Sequence, residues 1–311
     1  MNKILSISTR HRDGQSPAAS TSTDAHHVAV VLVNYKNARD TLRCIESLGQ
    51  LDYGSYSIVV VDNCSGDGSY ERFKELEPSV KVIRSDSNDG FAAACNMAMN
   101  ALRDSAVKYF WLLNNDTVVR KDTLSELVAV AEQSDAIGAV GSRIVDLHDS
   151  DKTICAGGGV ISRITGRSMH VENFTVDTKL DYLCGASCLI RRDAYEDIGP
   201  LSEKYFLYWE DADYSFRLAK KNWSISFADK SIVMHAESNT VGKGSPRFDY
   251  FFSRGSVIFL RSHFKYHWVV PLLVSLSGRL ARRVIRGNYA GAVAIATGVA
   301  HGLSGQLRRP N

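Results

Sequence analysis

YFWLLNNDTVV, residues Tyr109–Val119, is an apolar run that stops at two amides and a carboxylate. Aromatic and β-branched residues bounded by polar turn residues read as a buried strand of a parallel sheet. Ligands of open α/β sheets bind outside the carboxyl ends of such strands. Asn114, Asn115 and Asp116 are therefore expected to face a crevice rather than the core. A single carboxylate among amides suits a hard divalent cation that carries phosphate oxygens, because Mg²⁺ usually takes only one or two protein carboxylates. An Asn/Asp turn after a strand accounts for this stretch equally well when it is read alone.

Upstream, the pattern repeats. Val28–Val33 reads as a buried strand that stops at Asn34-Tyr35, and Ser57–Val61 as another that stops at Asp62-Asn63. A third strand is expected at Val80–Arg84, leading to Asn88-Asp89-Gly90. Helices are expected between them: Ala38–Leu48, with Leu42, Ile45 and Leu48 at helical spacing; a short one through Tyr70, Phe73 and Leu76; and an Ala-rich one from Phe91 to about Leu102. This β-α-β-α-β-α-β alternation implies right-handed crossovers and a mainly parallel sheet flanked by helices. Asn34, Asp62, Asn88 and Asp116 then share one sheet edge and outline a polar crevice suited to a nucleotide. A GxGxxG after the first strand and a Walker A loop are both missing, which excludes the two commonest phosphate-binding signatures. Asn88-Asp89-Gly90 offers backbone amides to phosphate at a helix N-terminus, or an ordinary turn.

Downstream, a helix is expected over about Lys121–Gln133 and a strand over Ile137–Val145. Gly157-Gly158-Gly159 marks a flexible or tightly packed turn, and Asp151–Lys179 reads as an irregular excursion. Tyr182–Arg191 is strand-like, with small residues Gly185, Ala186 and Ser187 at its centre. Tyr205–Arg217, YFLYWEDADYSFR, is a second chemical centre, in which Glu210, Asp211 and Asp213 follow a wall of aromatics. Burial and like-charge neighbours raise carboxylate pKa values, which suits a general base; acids at a helix N-terminus also stabilise the helix dipole. Two short strands, Ser224–Ala228 and Lys230–Met234, lead to His235. Ser238–Ser245 is Gly/Ser-rich and reads as a lid. Helices over Phe248–His263, Trp268–Arg286 and Tyr289–Leu307 complete the chain.

Hydrophobic content of 44% and charged content of 23% over 311 residues are those of an ordinary soluble globular protein. From Lys243 onward there are 11 Lys/Arg against the single Asp249, whereas the preceding residues hold 26 basic and 33 acidic side chains. A basic tail on an acidic body points to an anionic partner. The apolar stretches of the tail are interrupted by Arg279 and His301 and fall short of the roughly 20 residues of a spanning helix. Trp268 with Arg279, Arg282, Arg283 and Arg286 suits a helix lying in a membrane interface, and packing on the chain's own domain is the competing reading. Interleaved aliphatics argue against nucleic acid as the partner. Six cysteines lack CxxC spacing, and Cys184 and Cys188 read as packing residues. No secretory signal is visible, so a cytoplasmic setting is expected, with residues 1–27 as a disordered arm.

Six motifs in order resemble the family 2 inverting glycosyltransferases of GT-A fold, and more narrowly their rhamnosyltransferase-like branch. They are VLVNY (Val31–Tyr35), VVVDN (Val59–Asn63), NDGFAAACN (Asn88–Asn96), LLNNDT (Leu112–Thr117), YWEDADYSFR (Tyr208–Arg217) and His235, and the likeness covers about Val28 to Phe264. The resemblance implies a Rossmann-like domain over 28–245, with a nucleotide-sugar half (about 28–120), a catalytic half (about 121–245) and a helical extension over 246–311. It implies that Asn34, Tyr35, Asp62, Asn88, Gly90 and Asn115 line the nucleotide sugar. Asp116 matches the last residue of the family's DxD motif and, with His235, would bind Mg²⁺ or Mn²⁺. Asp211 matches the catalytic base, and Trp209 and Glu210 are candidates for the acceptor side. The first DxD position is Asn114, a departure that lowers the expected metal affinity. The implied reaction moves L-rhamnose from dTDP-rhamnose onto a lipid-linked or polysaccharide acceptor at the inner face of the cell membrane. A hexosyl- or galactofuranosyltransferase of the same fold, or a non-catalytic nucleotide-sugar or glycan-binding protein, remains open at this stage.

Overall fold

A computed structural model describes residues 26–175, 177–236 and 244–307. Its first half follows the expected alternation: β1 (Val28–Asn34), α1 (Ala38–Leu48), β2 (Tyr56–Asp62), α2 (Ser69–Lys74), β3 (Val80–Arg84), α3 (Phe91–Asn100), β4 (Tyr109–Asn114). After a tight turn come β5 (Thr117–Val119), α4 (Thr123–Ala131), β6 (Ile137–Asp146), β7 (Thr153–Ala156), β8 (Gly158–Ile161), β9 (Ser168–His170), β10 (Tyr182–Leu183) and β11 (Ser187–Arg191). The chain continues through α5 (Arg192–Ile198), α6 (Glu210–Lys220), β12 (Ser224–His235), α7 (Pro246–His263), α8 (Val269–Ile285) and α9 (Tyr289–Ser304).

The main sheet runs β3-β2-β1-β4-β11-β6-β12-β5, with β7 on β6. Parallel pairing holds from β3 to β4 and between β6 and β12, whereas β11, β5 and β7 pair antiparallel with their neighbours. The parallel character is thus concentrated in the first half. Alternate residues of β1 serve opposite faces, as the pleat requires. Val28, Val30 and Leu32 pack with α1 and α4, and Ala29 and Val31 pack with α3, Ala194 of α5 and Tyr214 and Leu218 of α6. Helices on both faces explain why β1 and β4 are apolar throughout instead of alternating.

Four local expectations need correcting. Tyr182–Arg191 is not one strand: Cys184–Ala186 breaks it, and β10 joins a separate β10-β8-β9 sheet. The two strands before His235 are one, β12, kinked where its register on β6 shifts between Ala228 and Ile232; such a bulge bends a strand without ending it. Asp151–Lys179 contains β7, β8 and β9 rather than only irregular chain. Gly158 and Gly159 lie inside β8, where a Cβ would overlap the Tyr182 and Met169 carbonyls, so close strand approach rather than a turn explains the glycines. Residues 1–25 of the arm expected over 1–27, and most of the lid over Ser238–Ser245, lie outside the described residues.

The basic tail is packed onto the domain through α7. Trp209 is 4% exposed against Phe252 and Phe259, and its indole N–H donates to the Phe252 carbonyl at 3.1 Å. His263 Nε2 lies 2.7 Å from Asp213 Oδ1, tying α7 to α6. α9 lies close on α7, because Gly298 and Gly302 leave room for the Tyr250 and Arg254 carbonyls. Arg279 and Arg283 of α8 turn inward to the buried Asp249, at 3.6 and 2.7 Å. That corrects the expectation of four interfacial arginines. Arg282 and Arg286 stay exposed.

Candidate active site

The carboxyl ends of β1, β2 and β4 are joined by one chain of side-chain hydrogen bonds. Asn34 donates to Asp62 Oδ1 at 2.9 Å and to Ser65 Oγ at 3.0 Å. Thr41 Oγ1 donates to Asn34 Oδ1 at 2.9 Å and accepts from the Asn115 amide at 2.8 Å. Asn34 is fully buried and both its N–H donors are consumed. It therefore orients Asp62 and Thr41, which corrects the expectation that its side chain contacts the nucleotide. Asp62 also accepts from the Ser65 backbone N–H at 3.3 Å. Tyr35, just past the end of β1, is half-buried and lies under the Lys36 ammonium.

Asn63 connects this cluster to the loop after β3. Its amide donates to Asn88 Oδ1 at 3.0 Å and to the Gly90 carbonyl at 3.3 Å. Asn88 Oδ1 also accepts from the Gly90 N–H at 3.1 Å, and the Phe91 N–H donates to the Phe206 carbonyl at 2.9 Å. The Gly90 and Phe91 amides are therefore spent within the protein. Gly90, at φ +99°, is required because a Cβ there would overlap the Phe206 backbone. The same contact joins the loop after β3 to the segment preceding α6.

Asp116 and His235 are brought together by the antiparallel pairing of β5 with β12, which sets His235 opposite Thr117. Asp116 Oδ1 is 3.0 Å from His235 Nε2, and the Asn114 side-chain amide is 3.4 Å from the same nitrogen. A carboxylate, an imidazole and an amide converge at one sheet edge, 119 residues apart in sequence for the first two. This donor set fits a Mg²⁺ or Mn²⁺ ion whose other positions are filled by ligand oxygens and water.

Asp211 is the second residue of α6, reached through Tyr208 and Trp209 at φ 69° and 75°. Left-handed backbone at a bulky residue costs about 1–3 kcal/mol. The packing of Trp209, of the class worth about 3–5 kcal/mol when truncated to alanine, offsets that strain. Asp211 Oδ2 accepts from the Gly185 N–H at 3.0 Å and Oδ1 from the Ala212 N–H at 2.7 Å. Burial first, then the neighbouring Cys184, push its carboxyl up to about 6, against the opposing pull of those two amides. Glu210 is 7% exposed, its Oε2 accepts no hydrogen bond among the described residues, and burial with Asp211 beside it pushes it up to about 8. Burial of both Trp209 and Glu210 corrects their assignment to an acceptor surface: one is a packing residue and the other a buried acid next to Asp211.

The break between β10 and β11 unites the two halves. Asn114 donates its backbone N–H to the Ala186 carbonyl at 3.0 Å, and the adjacent Gly185 donates to Asp211. Sequence reading missed Asn63 and Ser65 as connectors, although both stand beside quoted motif positions. It also missed Cys184, which lies with Cys155 and His170 in one cluster. Separations of 29 and 14 residues carry no spacing signal.

The sequence model of glycosyl transferase family 2 matches residues 29–199. The chain is 24% identical over 280 residues to the N-acetylglucosaminyl-diphospho-decaprenol L-rhamnosyltransferase of Mycobacterium tuberculosis, covering 82% of this chain and 90% of that protein. It is 25% identical over 207 residues to a low-salt glycan biosynthesis hexosyltransferase of Haloferax volcanii, covering 64% and 63% of the two chains. Among solved structures, a Pyrobaculum calidifontis mannosyltransferase in complex with GDP-Man and Mn²⁺ superposes with TM-score 0.57 at 17% identity, over 92% of this chain and 77% of that one. S. aureus TarS 1-349 superposes with TM-score 0.51 at 15% identity, over 91% and 93%. The architecture is a GT-A fold.

Proposed function

The chain belongs to glycosyl transferase family 2, resembling its rhamnosyltransferase-like branch, and from that membership we propose an inverting rhamnosyltransfer from dTDP-rhamnose to a lipid-linked acceptor. The observation that carries the reading is Asp211: a half-buried carboxylate raised to about 6 and fixed by two backbone amides at the edge of the crevice. A carboxylate with that pKa is largely ionised at neutral pH and still basic enough to assist proton removal.

In this reading, Tyr35, Asp62 and Asn88 line the nucleoside, while Asn34, Thr41, Asn63 and Asn115 hold that wall rigid. Asp116 and His235 would hold Mg²⁺ or Mn²⁺, which when bound offsets the charge that builds on the departing diphosphate. Asp211 accepts the proton of an acceptor hydroxyl as its oxygen bonds to the anomeric carbon. The bond to the diphosphate oxygen breaks in the same displacement, and that oxygen leaves with the electron pair. One in-line displacement inverts the anomeric centre. The domain division at about residue 245 belongs to this reading, with α7 closing the acceptor half from outside.

The rhamnosyl and lipid-linked terms are drawn from the mycobacterial relative, whose name states both. The exposed apolar face of α8 supports an acceptor presented at a membrane surface, by a peripheral contact on the cytoplasmic side. Among the described residues, no helix is long and apolar enough to cross a membrane. A donor panel decides the sugar: dTDP-rhamnose, UDP-galactofuranose, UDP-N-acetylglucosamine and GDP-mannose are each offered with a polyprenyl-diphosphate-linked N-acetylglucosamine. Transfer from dTDP-rhamnose alone is expected. Transfer from a hexose donor in its place would move the chain to the hexosyltransferase alternative.

A further inference from the structure

Cys155 in β7, His170 at the end of β9 and Cys184 directly after β10 come together from three separate stretches of chain. Their two sulfurs and an imidazole nitrogen all lie within 4.8 Å of one another. We propose that these three residues form a second cation site, selective for a thiophilic ion of the Zn²⁺ type and distinct from the Asp116–His235 pair. Beyond the transfer reaction itself, the site would act as a clamp on the segment that cradles Asp211.

Chemistry and geometry both favour this ligand class. Two sulfurs and an imidazole form a soft-to-borderline donor set, which binds Zn²⁺ far better than Mg²⁺ or Mn²⁺. In a tetrahedral zinc site with Zn–S and Zn–N bonds of the usual length, neighbouring ligand atoms are about 3.5–3.8 Å apart. A contraction of at most about 1.3 Å closes the observed triad. The ligand atoms of all three side chains already converge on one point.

The backbone under the triad is fixed. The Ala156 N–H donates to the Val171 carbonyl at 2.6 Å, Val171 N–H to Gly158 at 2.9 Å, and Cys184 N–H to Gly157 at 3.0 Å. Glycines at 157–159 allow these strands to approach as closely as they do. Cys155 is fully buried and donates its thiol to the Gly158 carbonyl at 3.1 Å. Cys184 is half-buried and His170 exposed, so the site opens to solvent on the imidazole side. Ion entry by that side leaves a fourth position for water, and both thiols give up their protons on binding.

The functional link runs through one peptide. Cys184 precedes Gly185, whose N–H holds Asp211 Oδ2. An ion on Cys184 would therefore restrict the loop that orients the base. The three residues are positioning residues with no contact to the reacting atoms.

Cobalt reports this site independently of transfer. Reduced full-length protein, stripped with a chelator, is titrated with Co²⁺ under anaerobic conditions. A near-ultraviolet thiolate-to-cobalt charge-transfer band and the visible bands of tetrahedral Co²⁺ are expected. They should saturate at one equivalent and be displaced by one equivalent of Zn²⁺. Cys184→Ser and Cys155→Ser should lose the charge-transfer band, while Asp116→Asn keeps it. His170→Ala, altered only at an exposed rim, should weaken Co²⁺ binding about 10-fold or more while the fold is retained. The proposal is overturned if wild-type protein gives no charge-transfer band, if the band survives in both cysteine variants, or if Cys155 and Cys184 are recovered as a disulfide that forms with no ion bound after reduction.

Discussion

The backbone N–H of Gly185 donates to Asp211 Oδ2 at 3.0 Å, across 26 residues of chain. The bond sets two opposing effects against each other. Burial favours the neutral acid, whereas a hydrogen bond to the carboxylate favours the ion. With burial ahead, the carboxyl stands at about 6, above the usual range of an aspartate yet ionised at neutral pH. A base in this state needs its two amides for aim as well as for charge. A Cβ at Gly185 would stand 3.3 Å from Asp211 Oδ2, so a larger residue there would press on the carboxylate.

Replacing Asp211 with Asn keeps the side-chain shape and removes the base. We expect transfer to fall about 10²–10⁴-fold, the range of general-base contributions, with donor affinity unchanged within about twofold. Wild-type kcat/KM should fall with unit slope below about pH 6, as Asp211 takes up its proton, and level off above it. Initial rates from pH 5 to 8 measure this. A flat profile, or near-normal transfer by the Asn variant with donor bound, removes Asp211 from the chemistry.

Asp116 and His235 face each other at 3.0 Å, and as joint ligands they should share one phenotype. Calorimetric titration of dTDP-sugars with and without Mn²⁺ should show metal-enhanced binding by wild-type protein. Asp116→Asn and His235→Ala should each lose about 10–100-fold of that enhancement. Equal donor affinity in wild-type protein with and without metal would leave the pair as a structural contact.

Glu210 is predicted to cost stability as pH rises. Its folded-state carboxyl, pushed up to about 8, lies above the ordinary value of 4.5. Below about pH 4.5 both folded and unfolded chains carry the proton, and Glu210→Gln should be neutral. Between 4.5 and 8 the unfolded chain ionises first, so stability is progressively lost with rising pH. The Gln variant should therefore gain thermal stability over wild type at pH 8 and little at pH 5. Scanning calorimetry at the two pH values checks this; a gain of the same size at both would assign the effect to packing instead of ionisation.

Much of this architecture was legible because it is local. The apolar runs of β1, β2, β3 and β4 and the periodicity of α1 need only neighbours in sequence, and their bounds came within a residue or two of the expected ones. What escaped reading depends on distant partners. Nothing near Asn34 announces that Thr41, Asp62 and Ser65 will exhaust its amide. Nothing near Trp209 announces that α7 will bury it. Ser224–Met234 looked like two strands because Asp229 interrupts its apolar pattern, and a bulge between Ala228 and Ile232 absorbs it without breaking the strand. Arg279 and Arg283 looked interfacial until Asp249 of α7 claimed them.

The last prediction concerns α8, the least buried helix of the tail. Pro271, Leu272 and Ser275 face the protein. Val270 and Leu273 are 59% and 58% exposed, and Tyr266, just before the helix, is 92% exposed. Burying each such aliphatic side chain in an apolar medium is worth about 1.5–3 kcal/mol, so a face of this kind is costly to leave in water. Arg282 and Arg286 are also exposed, and a cation near an anionic surface is worth about 1 kcal/mol. Sedimentation with vesicles of anionic lipid should therefore bring down the full chain, more weakly at high salt. The double variant Val270→Asp/Leu273→Asp should stay in the supernatant while transferring to a short-chain, water-soluble acceptor at the wild-type rate. Because both positions point outward, the variant tests the membrane face without disturbing the catalytic half. Equal sedimentation of the two proteins would mean that the exposed face of α8 does not hold the chain on a bilayer.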